Sequence, residues 1–280
     1  MLNTLAGCHP NVGFHFFWEL ATFTYICFCK ATLHSLHERL QKIETEAKHY
    51  ADPDNMIIFP FPFTYLDLPA DRFHFEHSHF EYMGREIFLE LWNVVQGLKH
   101  ESFTRLYIQG TMGYGKSHIL AVLAGLLYRS GKRVVYLPDC RALLRQPLDY
   151  LRASLLCAFA DPSSYEKRET IRALGSTHDV EKFCCENLPM YFIIDQMNAL
   201  DAEVSNQDVS TNSQKAFLLE FLTSLTVGHY QITSASANHK TALYVEKRQT
   251  NDLKQSLMGG MTEVCKYFTF YFVHHLISIL

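Results

Sequence analysis

The chain has 280 residues, 48% hydrophobic and 19% charged, which is enough for a buried core and too apolar for a disordered chain. Its 25 Lys and Arg stand against 29 Asp and Glu, a net charge of −4, so bulk charge gives no reason to expect a nucleic-acid binder; only a local basic patch could serve that end. Eight scattered cysteines (Cys8, Cys27, Cys29, Cys140, Cys157, Cys184, Cys185 and Cys265) form no C-x-x-C pair, which points to reduced, mostly buried thiols and an intracellular working compartment.

The opening MLNTLAGCHPNVG lacks the basic region and cleavage site of a secretory signal. Residues 14–29 are apolar, yet they carry His15 and Glu19 and fall short of a bilayer span, so a core helix is favoured and no membrane span is expected. Residues 32–50 set Leu33, Leu36, Leu40 and Ile43 at helical spacing, and ADPDN (51–55) breaks that helix. Residues 56–73 hold three prolines and many aromatics, the pattern of an extended connector packing its rings on a neighbouring unit. Residues 81–98 again read as a helix, with Ile87, Leu91 and Val94 on one stripe.

From residue 105 the texture changes. RLYIQ (105–109) is a buried strand, and residues 116–131 are a helix closed by Ser130 and Gly131. Residues 132–138 are a second strand. Residues 146–160 are a helix with Pro147 in its first turn and Leu148, Leu151, Leu155 and Phe159 on one face. A third strand covers 189–195, a helix closed by Gly228 covers 213–228, and a fourth strand covers 230–238. Strands alternating with helices predict an α/β fold with a parallel sheet flanked on both faces. The expected organisation is a helical and irregular extension over 1–80, a P-loop NTPase domain over 81–256, and a truncated or divergent segment over 257–280.

Gly110, Gly115, Lys116 and Ser117 fit G-x-x-x-x-G-K-[ST], with Gly113 as an extra glycine, and the motif stands between a strand and a helix as its chemistry requires. Glycines let the backbone wrap a phosphate so that N–H groups and the helix N-terminus face the charge. Lys116 is expected on the β and γ oxygens, and Ser117 on Mg²⁺. A second anchor for the metal is Asp195, at the tip of the apolar strand YFII. The next residue, Gln196, stands where many P-loop ATPases carry a glutamate; an amide orients water but cannot take its proton as a carboxylate does. Asn238, at the end of SASAN, is placed to sense the γ-phosphate. Guanine-selecting N-K-x-D and T-K-x-D are absent, which leaves ATP as the default nucleotide. His74, His77 and His79 lack zinc-site spacing and read as a solvated loop, while Cys184 and Cys185 read as a helix face.

The stretch from IQGTMGYGKSHIL through VVYLPDCR, with IIDQMNAL and SASAN, resembles the P-loop ATPase domain of Crinkler-type effectors, themselves similar to retrotransposon hot spot proteins. The resemblance covers about residues 81–238, with YMGRE as its leading edge. It implies an AAA+ or STAND-like core of the additional-strand type with strand order 5-1-4-3-2, and nucleotide contacts at Gly110, Gly115, Lys116, Ser117, Asp195 and Asn238. It also implies a nuclease-like companion domain, action on nucleic acid, and secretion into a host. The chain departs from the family in lacking a PD-(D/E)-x-K pattern and a recognisable N-terminal header. It also runs into CKYFTFYFVHHLISIL where a helical lid would be expected, as in an incomplete copy that associates with a partner or with itself. Three functions stay open: slow ATP hydrolysis driving a conformational change, a switch that holds nucleotide without turnover, and small-molecule phosphorylation.

Overall fold

The computed structural model describes residues 31–65, 68–99, 105–110, 113–187, 189–201, 209–236 and 253–257. The apolar segment 14–29, Asn238 and the segment 258–280 lie outside them.

Five parallel strands form the main sheet: β3 (Arg105–Gly110), β4 (Val134–Leu137), β5 (Tyr191–Ile194), β6 (Tyr230–Ser236) and β7 (Leu253–Leu257). Their spatial order is β4-β5-β6-β3-β7. Numbered along this sheet alone, that is the 5-1-4-3-2 order implied by the resemblance. Every residue of β4 and β5 is buried, as an unbroken apolar run covered on both faces must be.

Around the sheet lie α3 (Lys116–Arg129), α4 (Cys140–Arg145), α5 (Pro147–Ala158), α6 (Tyr165–Arg172), α7 (Thr177–Glu186) and α8 (Val209–Leu225). Cys184 and Cys185 both lie on α7, one buried and one exposed. Helix α3 is buried on all sides from Ile119 to Tyr128. It ends as its last residues predict: Gly131 takes φ 79° and Lys132 N–H donates to the Leu127 carbonyl at 3.0 Å.

The outer cover of α3 comes from the N-terminal part. A helix over 31–40, α1, buries Leu33, Leu36 and Leu40. A two-stranded antiparallel ribbon follows, β1 (Met56–Pro60) against β2 (His79–Met83). Helix α2 (Ile87–Gln96) leads into β3. Phe59, Phe61, Phe73 and Phe80 of the ribbon and its loop are all buried in the core that also holds α3 and the sheet.

Two expected helices are shorter than their periodicity suggests. The helix over 32–50 ends at residue 40, and beyond it the Glu44 carboxylate accepts from the N–H groups of Thr45 and Glu46 in an irregular stretch. A separate 3-10 turn, Ala47–Tyr50, follows. The helix over 81–98 loses its first residues to β2, since Met83 pairs with Met56. Gly84 then packs so close to the Asp52 carbonyl that a Cβ would lie 1.9 Å from its oxygen. Helix α8 ends at Leu225, three residues before Gly228.

Candidate functional site

Strand β3 ends at Gly110, whose neighbours in register are Ser236 of β6 and Leu257 of β7. A Cβ on Gly110 would stand 3.1 Å from Leu257, so the strand end admits no side chain without displacement. Gly113 (φ 83°) and Gly115 (φ 80°) hold left-handed backbone that glycine adopts without steric cost. Thr111 and Met112 lie outside the described residues. Lys116 opens α3, so the first-turn N–H groups and the positive end of a 14-residue helix face the loop.

Lys116 Nζ donates to the Gly110 carbonyl at 2.8 Å, folding the ammonium back over the loop. Burial holds its pKa below the ordinary lysine value, while the negative charge of Asp195 works the other way. A second cation borders the loop. Arg85 lies 5.7 Å over the Tyr114 ring, and a Cβ on Gly115 would meet its Nη2 at 2.8 Å. Glycine at 115 is therefore favoured by backbone hand, and a side chain there would also have to displace the Arg85 guanidinium.

Asp195 continues β5: its N–H donates to the Leu137 carbonyl at 2.9 Å, and the residue is 1% exposed. Its Oδ1 accepts from Gln196 N–H at 2.8 Å and from the Ser234 hydroxyl. Its Oδ2 accepts from Arg72 Nη1 at 2.8 Å, and the same nitrogen lies 3.3 Å from Ser117 Oγ. Ser117 and Asp195, the expected metal ligands, are thus brought together around a guanidinium. With Arg72 in place, a metal ion between these two oxygens would stand against the positive charge of the guanidinium, which repels it.

The neighbouring strand end adds Asp139. It caps α4 by accepting from Arg141 N–H at 2.8 Å, and it pairs with the Arg141 guanidinium through both oxygens, at 3.0 and 2.9 Å. Arg141 also reaches Asp71 at 2.7 Å, and Arg72 Nη2 lies 3.3 Å from Asp139. His118, one residue past Ser117, stacks on Phe73 with ring centroids 4.5 Å apart. Burial, and then the charges of Arg85 and Arg72, push its pKa down to about 4, so the ring is neutral near pH 7.

Sequence patterns singled out the glycine loop, Lys116, Ser117, Asp195 and Gln196. They missed Arg72, Arg85, Asp139, Arg141 and Ser234. VVYLPDCR, which contains Asp139 and Arg141, carried a signal as part of the family resemblance; Arg72, within ADRFHF, carried none. His77 and Ser78 form a tight turn with φ 49° and 63°, closed by hydrogen bonds between Glu76 and His79, and no metal-binding group of side chains occurs among the described residues.

No known protein family matches this chain, and no curated protein does. Among solved structures, a DNA replication initiation factor is similar at 14% identity with a TM-score of 0.36, over 60% of this chain and 44% of that one. DnaA from Aquifex aeolicus, bound to AMPPCP, is similar at 15% identity with a TM-score of 0.36, over 62% of this chain and 44% of that one. The chain spans less than half the length of either. What stands on the chain's own geometry is an α/β fold whose parallel sheet carries a glycine-rich loop between its β3 strand and the α3 helix.

Proposed function

We propose that this chain is a P-loop nucleotide-binding module that holds ATP by its phosphates and hydrolyses it slowly. One observation carries the reading: two left-handed glycines and Lys116 lead into α3 at the carboxyl end of a central parallel strand. In open parallel sheets that end is where ligands bind. The loop backbone and Lys116 bind the phosphates; the buried, hydrogen-bonded Asp195 holds the neighbouring strand end rigid beside them.

Slow turnover follows from residue 196. A general base typically contributes about 10²–10⁴ in rate, and Gln196 supplies none. Gln196 and Asn238 are the residues proposed to orient water and to sense the γ-phosphate. Mg²⁺ is the usual companion of ATP, and here Arg72 stands between its expected ligands Ser117 and Asp195. A role as the NTPase module of a Crinkler-like effector rests on the sequence resemblance over residues 81–238. A switch that binds without turnover is the second reading, favoured by the same glutamine.

Lys116→Ala tests the reading. Losing the cation that faces the phosphates is expected to weaken ATP binding by about 10–100-fold, read by calorimetric titration on a variant shown to be folded by circular dichroism. Wild-type affinity in that variant refutes the assignment.

A further inference from the structure

Arg72 comes from the end of the proline-rich connector, far from the glycine motif in sequence. Its guanidinium nevertheless spans three parts of the site. Nη1 reaches Asp195 at 2.8 Å and Ser117 at 3.3 Å, while Nη2 donates to the Pro138 carbonyl at 3.0 Å and pairs with Asp139 at 3.3 Å. The side chain is 14% exposed and that of Asp195 is 2% exposed, so this is a buried ionic cluster and not a surface pair. The backbone beneath it is held as well. The N–H groups of Arg72 and Phe73 both donate to the Pro69 carbonyl, at 3.0 and 3.1 Å, and the buried Phe73 ring stacks on His118. Withdrawing the guanidinium would break charge-assisted bonds to two buried carboxylates.

We propose that Arg72 is the resident cation of this nucleotide site, standing where a divalent metal would otherwise stand, so that ATP binds without one. The inference rests on the ATP reading above and adds what keeps the charge of Asp195 from repelling the phosphates. Arg72 neutralises Asp195, which would otherwise repel an incoming anion. It also donates to Ser117 Oγ, leaving the Ser117 hydroxyl proton for a phosphate oxygen. Mg²⁺ requires oxygen ligands at roughly 2.0–2.1 Å in octahedral array, and the guanidinium already stands within hydrogen-bond reach of both expected oxygens, so its charge opposes an ion between them. A weakly hydrated, permanently charged group suits a buried place beside phosphates.

Calorimetric titration with ATP, once in EDTA and once in excess MgCl₂, tests this on the full chain. Wild type is expected to show dissociation constants within about threefold of each other in the two buffers, because the charge-assisted contacts come from the protein itself. Arg72→Ala is expected to bind about 10–100-fold more weakly in EDTA and to recover on adding MgCl₂, since the freed oxygens can then take the ion. Arg72→Lys keeps the charge and should stay closer to wild type in EDTA than Arg72→Ala does. Arg72→Ala combined with Asp195→Asn removes the stranded carboxylate and should bind more tightly in EDTA than Arg72→Ala alone, with no response to MgCl₂. A wild type that binds ATP only with MgCl₂ overturns this inference and leaves the ATP reading standing. So does an Arg72→Ala variant with the wild-type ratio. A wild type that binds in neither buffer overturns both. The wild-type comparison decides the matter even where Arg72→Ala fails to fold.

Discussion

Gln196 holds left-handed backbone, φ 61°, directly after the buried Asp195. Such a conformation in a non-glycine residue costs about 1 kcal/mol or more and persists only where neighbours impose it. Here the imposing contacts are visible: Gln196 N–H donates to Asp195 Oδ1, and its carbonyl accepts from Ala199 as the 3-10 turn Met197–Leu200 begins. The side chain is half-buried at the strand end, beside the residue that anchors the site. Gln196→Glu is nearly isosteric and adds a proton acceptor. We expect ATP affinity to stay within about threefold and steady-state phosphate release to rise by about tenfold or more, given what a general base contributes. Phosphate release that stays at the wild-type rate would show that residue 196 is not what limits turnover. The identity of this residue was legible in the sequence, since the apolar strand leads straight to it. Its strained backbone was not, because φ is decided by the turn that follows.

At the scale of elements, α3 and the ribbon of β1 and β2 are fitted to each other at one glycine. Gly125 lies in the middle of α3, where glycine costs about 1 kcal/mol against alanine. A Cβ there would come 2.6 Å from Phe59 Cζ and 3.4 Å from Leu40 Cδ2. Phe59 cannot easily yield, because its ring is 1% exposed and packed edge-on against Tyr50 and Phe80. Overpacking of this kind costs about 1–3 kcal/mol, which outweighs or cancels the helical gain. Gly125→Ala is therefore expected to lower stability by up to about 2 kcal/mol in urea denaturation. Adding Phe59→Leu should return part of that loss, giving a coupling of about 0.5 kcal/mol or more between the two sites. Additive single effects would show that the helix and the ribbon do not meet at Gly125. The ribbon itself was read only as an extended connector. Its pairing depends on Gly84 closing against Asp52, a contact between residues that no local periodicity links.

In the whole molecule, the N-terminal part and the sheet share one core. Phe61 is fully buried and meets Phe73, Phe75 and Phe80 of its own region and Tyr136 of β4. His37 bonds Tyr128 at 2.8 Å, and Arg129 bonds Gln41 at 2.7 Å, across the same boundary. Phe61→Ala should cost about 3–5 kcal/mol, a large share of the 5–15 kcal/mol typical of a domain. If the core is cooperative, hydrogen exchange will show the same loss of protection in β1 and in β5. Unchanged protection in β5 would mean that the two parts open separately. The sequence by itself determined the alternation of four strands with helices, and most firmly β4 and β5, because a strand buried on both faces must be a continuous apolar run. It likewise determined the glycine loop, because only certain residues allow a backbone to wrap a phosphate. The resemblance implied an edge strand beside β3, but only the tertiary structure placed it at Leu253–Leu257 and folded the connector into a ribbon over α3. Only the tertiary structure, too, carries Arg72 to Asp195, across 123 positions of chain. An ion pair of that kind has no period and no local propensity. It is set by where two loops end once the core has closed around Phe73, and the chain's one-dimensional pattern does not encode that meeting point.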